Sequence, residues 1–189
     1  MTAPTAKRPR GTALPRVAGL LFIVAGLADY GLITVSQAPT DPSVAFGNLL
    51  PTLAFAFLVL LVLPVAFLLL FIWLPRTPVN SVFLLLALGS FLAIVLKTTG
   101  PPAPQIVDVV VAILAVVAGV FVVLRREFPL VTGILFLIAM VAAHVVPYVL
   151  MPLSGVALRY LPLWAIAVAY ALAGLALLIR PRRETPAEE

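Results

Sequence analysis

The sequence predicts an all-α membrane protein, a polytopic bundle of six transmembrane helices. Hydrophobic residues make up 63% of the chain and charged residues only 10%, and the mean hydropathy is +1.22. The apolar residues also fall into six long runs separated by proline-rich breaks. A soluble domain carries about 25% charged residues, so this chain has too few charges to cover a surface that faces water.

Each apolar run is close to the length of about 20 residues that a helix needs to cross the hydrocarbon layer. The predicted spans are residues 17–36, 49–74, 79–97, 105–124, 129–150 and 157–179. They form one membrane domain over 17–180, between a basic tail over 1–16 and a charged tail over 181–189. Run length and the lack of alternation favour helices over the strands of a barrel.

The first run is interpreted as a retained span, because it is too long for the apolar region of a cleaved signal peptide and contains Asp29. Proline clusters end the other spans, since proline lacks an N–H and restricts the residue before it. Three further prolines, Pro64, Pro147 and Pro162, lie inside predicted spans. Each is expected to kink its helix or to free a carbonyl.

The basic residues predict that both termini are cytoplasmic. Ten of the twelve Lys and Arg residues lie on the side of the N-terminus, and only Lys97 and Arg159 lie on the other side. Cytoplasmic loops carry the excess of basic residues in membrane proteins. An anionic inner leaflet, rather than nucleic acid, is the partner that this charge predicts. Because arginine predominates over lysine, the predicted location is the plasma membrane of a bacterium with a GC-rich genome.

Parts of the sequence repeat. Residues 18–25 match 132–139 almost position by position, and spans four and six both carry alanines, a glycine (Gly119 and Gly174) and a basic end. One interpretation is three helical hairpins of about 50–60 residues, related by an axis along the membrane normal. The other is that apolar helices resemble one another by composition alone.

Five ionisable residues lie within the predicted spans, all in the outer half: Asp29, Lys97, Asp108, His144 and Arg159. Tyr30, Tyr148 and Tyr160 lie in the same half, and Tyr30 and Tyr148 join Asp29, His144 and Asp108 as candidates for ligand binding or proton relay. Ionisable groups at this depth usually face the bundle interior or a hydrated cavity. The pattern predicts a polar cavity that opens to the outer face, with Lys97, Arg159 and Tyr160 at its rim or as anchors at the membrane interface.

Asp29 is the deepest of these residues and too short to reach the interface. It shares a helical face with Ala18, Phe22 and Ala25, so we expect it to point into the bundle. His144 is a candidate to meet it, although a neutral histidine bonded to a carbonyl freed by Pro147 is an alternative. Asp108 is expected in the first turn of span four. Its carboxylate has two alternative roles there, which are to bind a ligand or to stabilise the helix terminus.

These residues predict a non-catalytic component that binds a small molecule or a lipid, or an accessory subunit of a larger membrane complex. A small proton-coupled transporter using Asp29 and His144 is the main alternative. An intramembrane enzyme ranks last, because nothing in the sequence names a nucleophile or a metal site. With no cysteine and one histidine, we predict neither a cofactor nor a metal.

Overall fold

The chain is helical over the parts that its computed structural model describes, which are residues 13–36, 42–74, 80–96, 103–124, 128–147 and 161–178. The helices are α1 (Ala13–Ser36), α2 (Pro42–Trp73), α3 (Ser81–Leu96), α4 (Ala103–Leu124), α5 (Leu130–His144) and α6 (Leu161–Leu178). No strand occurs in these ranges, so the predicted all-α class is confirmed for them.

Three of the helices contain stretches long and apolar enough to cross a membrane, namely Ala13–Val35, Leu49–Trp73 and Ile106–Leu124. The apolar stretches of the other three helices are shorter: Ser81–Ala93, Leu130–His144 and Trp164–Leu178. Large apolar side chains are exposed along the outside of the helices; Leu27, Phe57 and Ile113 are each about 60% exposed. A surface this apolar indicates a lipid environment.

α2 begins elsewhere than the prolines predict. It begins at Pro42, seven residues before the predicted start at residue 49, and runs through Pro51 and Pro64. Proline is favoured at the first position of a helix, because the N–H that it lacks would have no partner there. The described part of α6 begins at Leu161 and includes Pro162.

The regular part of α5 ends at His144, three residues before Pro147. The Val145 N–H donates to the Val141 carbonyl at 2.8 Å. Pro147 has no N–H to donate to the carbonyl of Ala143, so the hydrogen-bond ladder is interrupted here, although Val146 and Pro147 are themselves helical. The break in the helix therefore has a local cause in the sequence.

The helices form a closed ring in chain order. Each helix packs against its neighbours in the chain, and α6 closes the ring by packing extensively against α1. Neighbours run antiparallel: Gly19 near the start of α1 faces Gly174 near the end of α6, and Gly26 faces Ala167. Ala13 and Leu178, the first and last described residues, therefore lie at the same end of the ring.

Glycine allows two of these crossings to be close. A Cβ placed on Gly19 would lie 2.8 Å from the carbonyl oxygen of Gly174, and one on Gly133 would lie 2.8 Å from the Cα of Val123 in α4. A real Cβ does not approach a backbone atom this closely, so both crossings require a residue with no side chain.

Aromatic rings fill the middle of the bundle. Phe22 in α1 makes edge-to-face contacts with Phe67 in α2 at 5.1 Å and with Phe136 in α5 at 6.0 Å, and it stacks on Tyr170 in α6 at 6.3 Å. Trp73 packs on Phe128 at 5.1 Å, nearer the end where α1 begins. We call that end the closed end, and the end where α1 finishes and α4 begins the polar end.

Candidate functional site

Tyr170 is at the centre of a polar cluster in this apolar bundle. Its hydroxyl lies 3.4 Å from Nε2 of His144, near the long limit of a hydrogen bond, and the imidazole tautomer decides which group donates. The two rings meet edge to face, with centroids 5.8 Å apart. Tyr170 is only 5% exposed, so its hydroxyl needs a partner inside the protein.

Helix geometry directs these two side chains toward each other. Side chains on a helix lean toward its N-terminus. α6 starts at the polar end and α5 finishes there, so Tyr170 leans toward the polar end and His144 leans back into the bundle. The Tyr170 backbone lies near the middle of α6, level with Phe22, while its hydroxyl reaches the level of His144.

Two carboxylates, Asp29 in α1 and Asp108 in α4, interact electrostatically with Tyr170. Asp29 and Asp108 are partly buried, as is His144. Three of the residues singled out in the sequence thus interact with a fourth residue, Tyr170: His144 by contact, and Asp29 and Asp108 electrostatically. We call Asp29, Asp108, His144 and Tyr170 the polar cluster.

Asp29 lies on the face that the sequence indicated. Ala18, Phe22 and Ala25 on this face of α1 are completely buried. Tyr30, the next residue, lies on another face: it is 45% exposed and packs edge to face on Trp164, with ring centroids 4.9 Å apart. The Tyr30 ring therefore lines the outside of the α1–α6 pair.

Asp108 is farther from its helix terminus than predicted. α4 begins at Ala103, two residues before the expected start, so Asp108 lies in the second turn and no acidic residue occupies the first. The favourable interaction with the helix dipole is concentrated in the first turn. This placement weakens the structural explanation for Asp108. The remaining predicted site residues lie outside the described residues: Lys97, Tyr148, Arg159 and Tyr160.

Other buried polar side chains were not anticipated from the sequence. The Ser90 hydroxyl in α3 and the side chains of Asn80 and Thr132 are buried without a hydrogen-bond partner among the described residues. Asn80 and Thr132 lie toward the closed end. Ser90 follows Gly89, which packs on Val111 one turn from Asp108, so Ser90 lies toward the polar end.

Tyr170 is the functional candidate that the sequence analysis missed. Counting residues from the membrane midplane places its Cα outside the polar half, and only the reach of the side chain brings its hydroxyl there. One signal was present in the sequence: Tyr170 is the single strongly polar side chain among the alanines Ala167, Ala169, Ala171 and Ala173. A polar group on such a close-packing face must find a partner across the interface.

Within the described ranges, no group of three or more His, Cys, Asp or Glu residues is arranged to hold a metal ion. The polar cluster supplies carboxylate oxygens, a phenol and an imidazole, which are groups that form hydrogen bonds and carry charge. No protein-family model matches the chain, and neither curated proteins nor solved structures give a match.

Proposed function

We propose that the chain crosses a bacterial plasma membrane six times, with both termini in the cytoplasm and the polar end of the ring facing outward. The alternating direction of the helices, the apolar outer surface and the basic residues of the tails support this topology.

We also propose that helical hairpins repeat around the ring. The support comes from two helix–helix contacts, α1 with α6 and α5 with α4. They use residues that correspond in the match between 18–25 and 132–139. Gly174 in α6 meets Ile23, four residues after Gly19, and Gly119 in α4 meets Leu137, four residues after Gly133. Phe22 and Phe136, which correspond in the sequence match, contact each other near the middle of the bundle. Similar composition alone does not require such corresponding contacts.

The function that the polar cluster supports best is binding. We propose that the chain is a non-catalytic component of the membrane that binds a small molecule or a lipid at the polar cluster. The observation that carries this proposal is the contact of His144 with the buried Tyr170 hydroxyl, together with the electrostatic interaction of Asp29 and Asp108 with Tyr170. Ionisable side chains in a membrane interior are costly and are usually retained for a function.

Proton-coupled transport is the second candidate, and the His144–Tyr170 contact favours it, because such a contact could pass a proton. The aromatic core around Phe22 lies between the polar cluster and the closed end. Proton-dependent uptake by the pure chain in liposomes would favour transport over simple binding. A stoichiometric partner that copurifies from native membranes would favour an accessory subunit.

Cysteine accessibility tests the binding proposal, since the natural chain has no cysteine. In liposomes, D29C and D108C should react with a small cationic methanethiosulfonate, because a binding site for polar groups must be hydrated. The matched controls in α1 are A25C, at a completely buried position, and L27C, at a position 62% exposed on the apolar surface. If D29C and D108C react no faster than these controls, the polar cluster is not a solvent-accessible site.

A further inference from the structure

The two halves of α2 differ in burial. Between residues 63 and 74, six side chains are buried: Leu63, Ala66, Phe67, Leu70, Trp73 and Leu74. Between residues 49 and 62, no side chain is buried, and Leu50, Leu53 and Phe57 are 76%, 58% and 60% exposed. The half of α2 nearer the polar end therefore lacks the close packing of the other half.

The exposed half includes part of the side of α2 that turns toward the bundle. A separation of seven residues is nearly two helical turns, so Leu49, Ala56 and Leu63 lie on one face. Leu63 is only 4% exposed, Ala56 is exposed and Leu49 is 52% exposed. The side of α2 that is buried at Leu63 is thus exposed at Ala56 and Leu49, next to the partly buried Thr52 and Val59. We call this exposed stretch the crevice.

One contact fixes the level of this crevice. A Cβ placed on Gly31 in α1 would lie 2.7 Å from the Phe55 ring, so this part of α2 is level with Gly31, two residues beyond Asp29. The start of α4 is also loosely packed, with Ile106, Val109 and Val110 about half exposed or more. The crevice lies at the depth of the polar cluster, and the aromatic core around Phe22 closes it toward the other end.

We propose that the ligand is a membrane lipid that reaches the polar cluster sideways through this crevice, with its acyl chain along residues 49–61 of α2. This inference rests on the proposed binding function and names its ligand. Carboxylates accept hydrogen bonds, and the phenol and imidazole add to them, so they suit a headgroup with N–H donors, such as the ammonium of phosphatidylethanolamine. A lipid that contacted only the outer surface of the bundle would meet apolar side chains and none of these polar groups.

Photocrosslinking in vesicles tests the proposal. The full chain is reconstituted in phosphatidylethanolamine and phosphatidylglycerol vesicles that contain a small fraction of phosphatidylethanolamine with a diazirine in its acyl chain. Crosslinks should concentrate on the crevice face at Leu49, Leu53 and Ala56. Labelling should fall about tenfold, the change that corresponds to losing one hydrogen bond to a charged group, when a phosphatidylcholine probe without N–H donors replaces it.

Two alanines of α2 provide a matched pair of variants. Ala54 and Ala56 are both exposed and differ in depth by two residues, but they point to opposite sides of the helix. A56F should fill the crevice and remove its crosslinks, whereas A54F should leave them unchanged. Equal effects of the two variants, or crosslinks spread evenly over the exposed apolar faces, would overturn the lipid assignment.

Failure of the lipid proposal is distinguishable from failure of the binding proposal. If D29C reacts with the aqueous reagent but the crevice gives no preferred crosslinks, the polar cluster is a site for another ligand and only the lipid assignment is lost. If D29C is inert and the crosslinks are also even, both proposals are wrong.

Discussion

At the scale of single residues, Tyr170 links the groups around it. Its hydroxyl lies within reach of His144 Nε2, and Tyr170, which is 5% exposed, interacts electrostatically with two carboxylates. The sequence alone identified Asp29, Asp108 and His144, because charged and titratable residues are conspicuous in apolar runs. It did not identify Tyr170, because helix geometry places that hydroxyl away from its own backbone position.

The first prediction concerns this contact. Y170F removes the hydroxyl and leaves the imidazole of His144 without this partner, which should lower the free energy of unfolding by about 1 kcal/mol. Y30F is the matched control, because Tyr30 is 45% exposed, and it should have little effect. Thermal unfolding of both variants in detergent measures the difference.

A second prediction follows for the pair. Replacing both partners with apolar residues leaves neither His144 nor Tyr170 as a buried group without its hydrogen-bond partner. The H144F and Y170F double variant should therefore lose less free energy of unfolding than the two single variants lose together. Additive effects would show that Tyr170 and His144 are not coupled.

At the scale of the helices, the sequence predicted the class and the approximate position of each element well. Apolar run length and proline clusters carry that information directly. The start of α2 at Pro42 was missed, because a proline that ends one helix and a proline that begins the next look alike in sequence. The looser packing of one half of α2 was also not predicted from the sequence, since residues 49–62 and 63–74 are both mostly apolar.

The close crossings give an element-scale prediction. G174A should destabilise the bundle, because the new Cβ would collide with the Gly19 carbonyl oxygen, and G119A should act similarly through the Leu137 backbone. G89A is the control, since its Cβ would meet only a methyl group of Val111 and no backbone atom. If thermal unfolding shows all three variants equally stable, the two glycine crossings do not stabilise the ring.

At the scale of the whole molecule, the ring closes through α1 and α6, the helices farthest apart in sequence. Hydrophobic patterning does not predict which helices are neighbours, because every helix is apolar on most of its surface. The sequence showed small residues on α1 and α6, but only the structure shows that these residues face each other. The closed ring is what allows one aromatic core and one polar cluster to be shared by several helices.

Topology is the most direct test of the central claim that the polar end of a six-span bundle faces outward. Single cysteines at Thr40, Ala103 and Thr77 are introduced into the full chain, which has none of its own, and intact cells are treated with a membrane-impermeant maleimide. The account predicts labelling of T40C and A103C from outside, and labelling of T77C only after the cells are permeabilised. Labelling of T77C in intact cells, or protection of T40C and A103C, would contradict it.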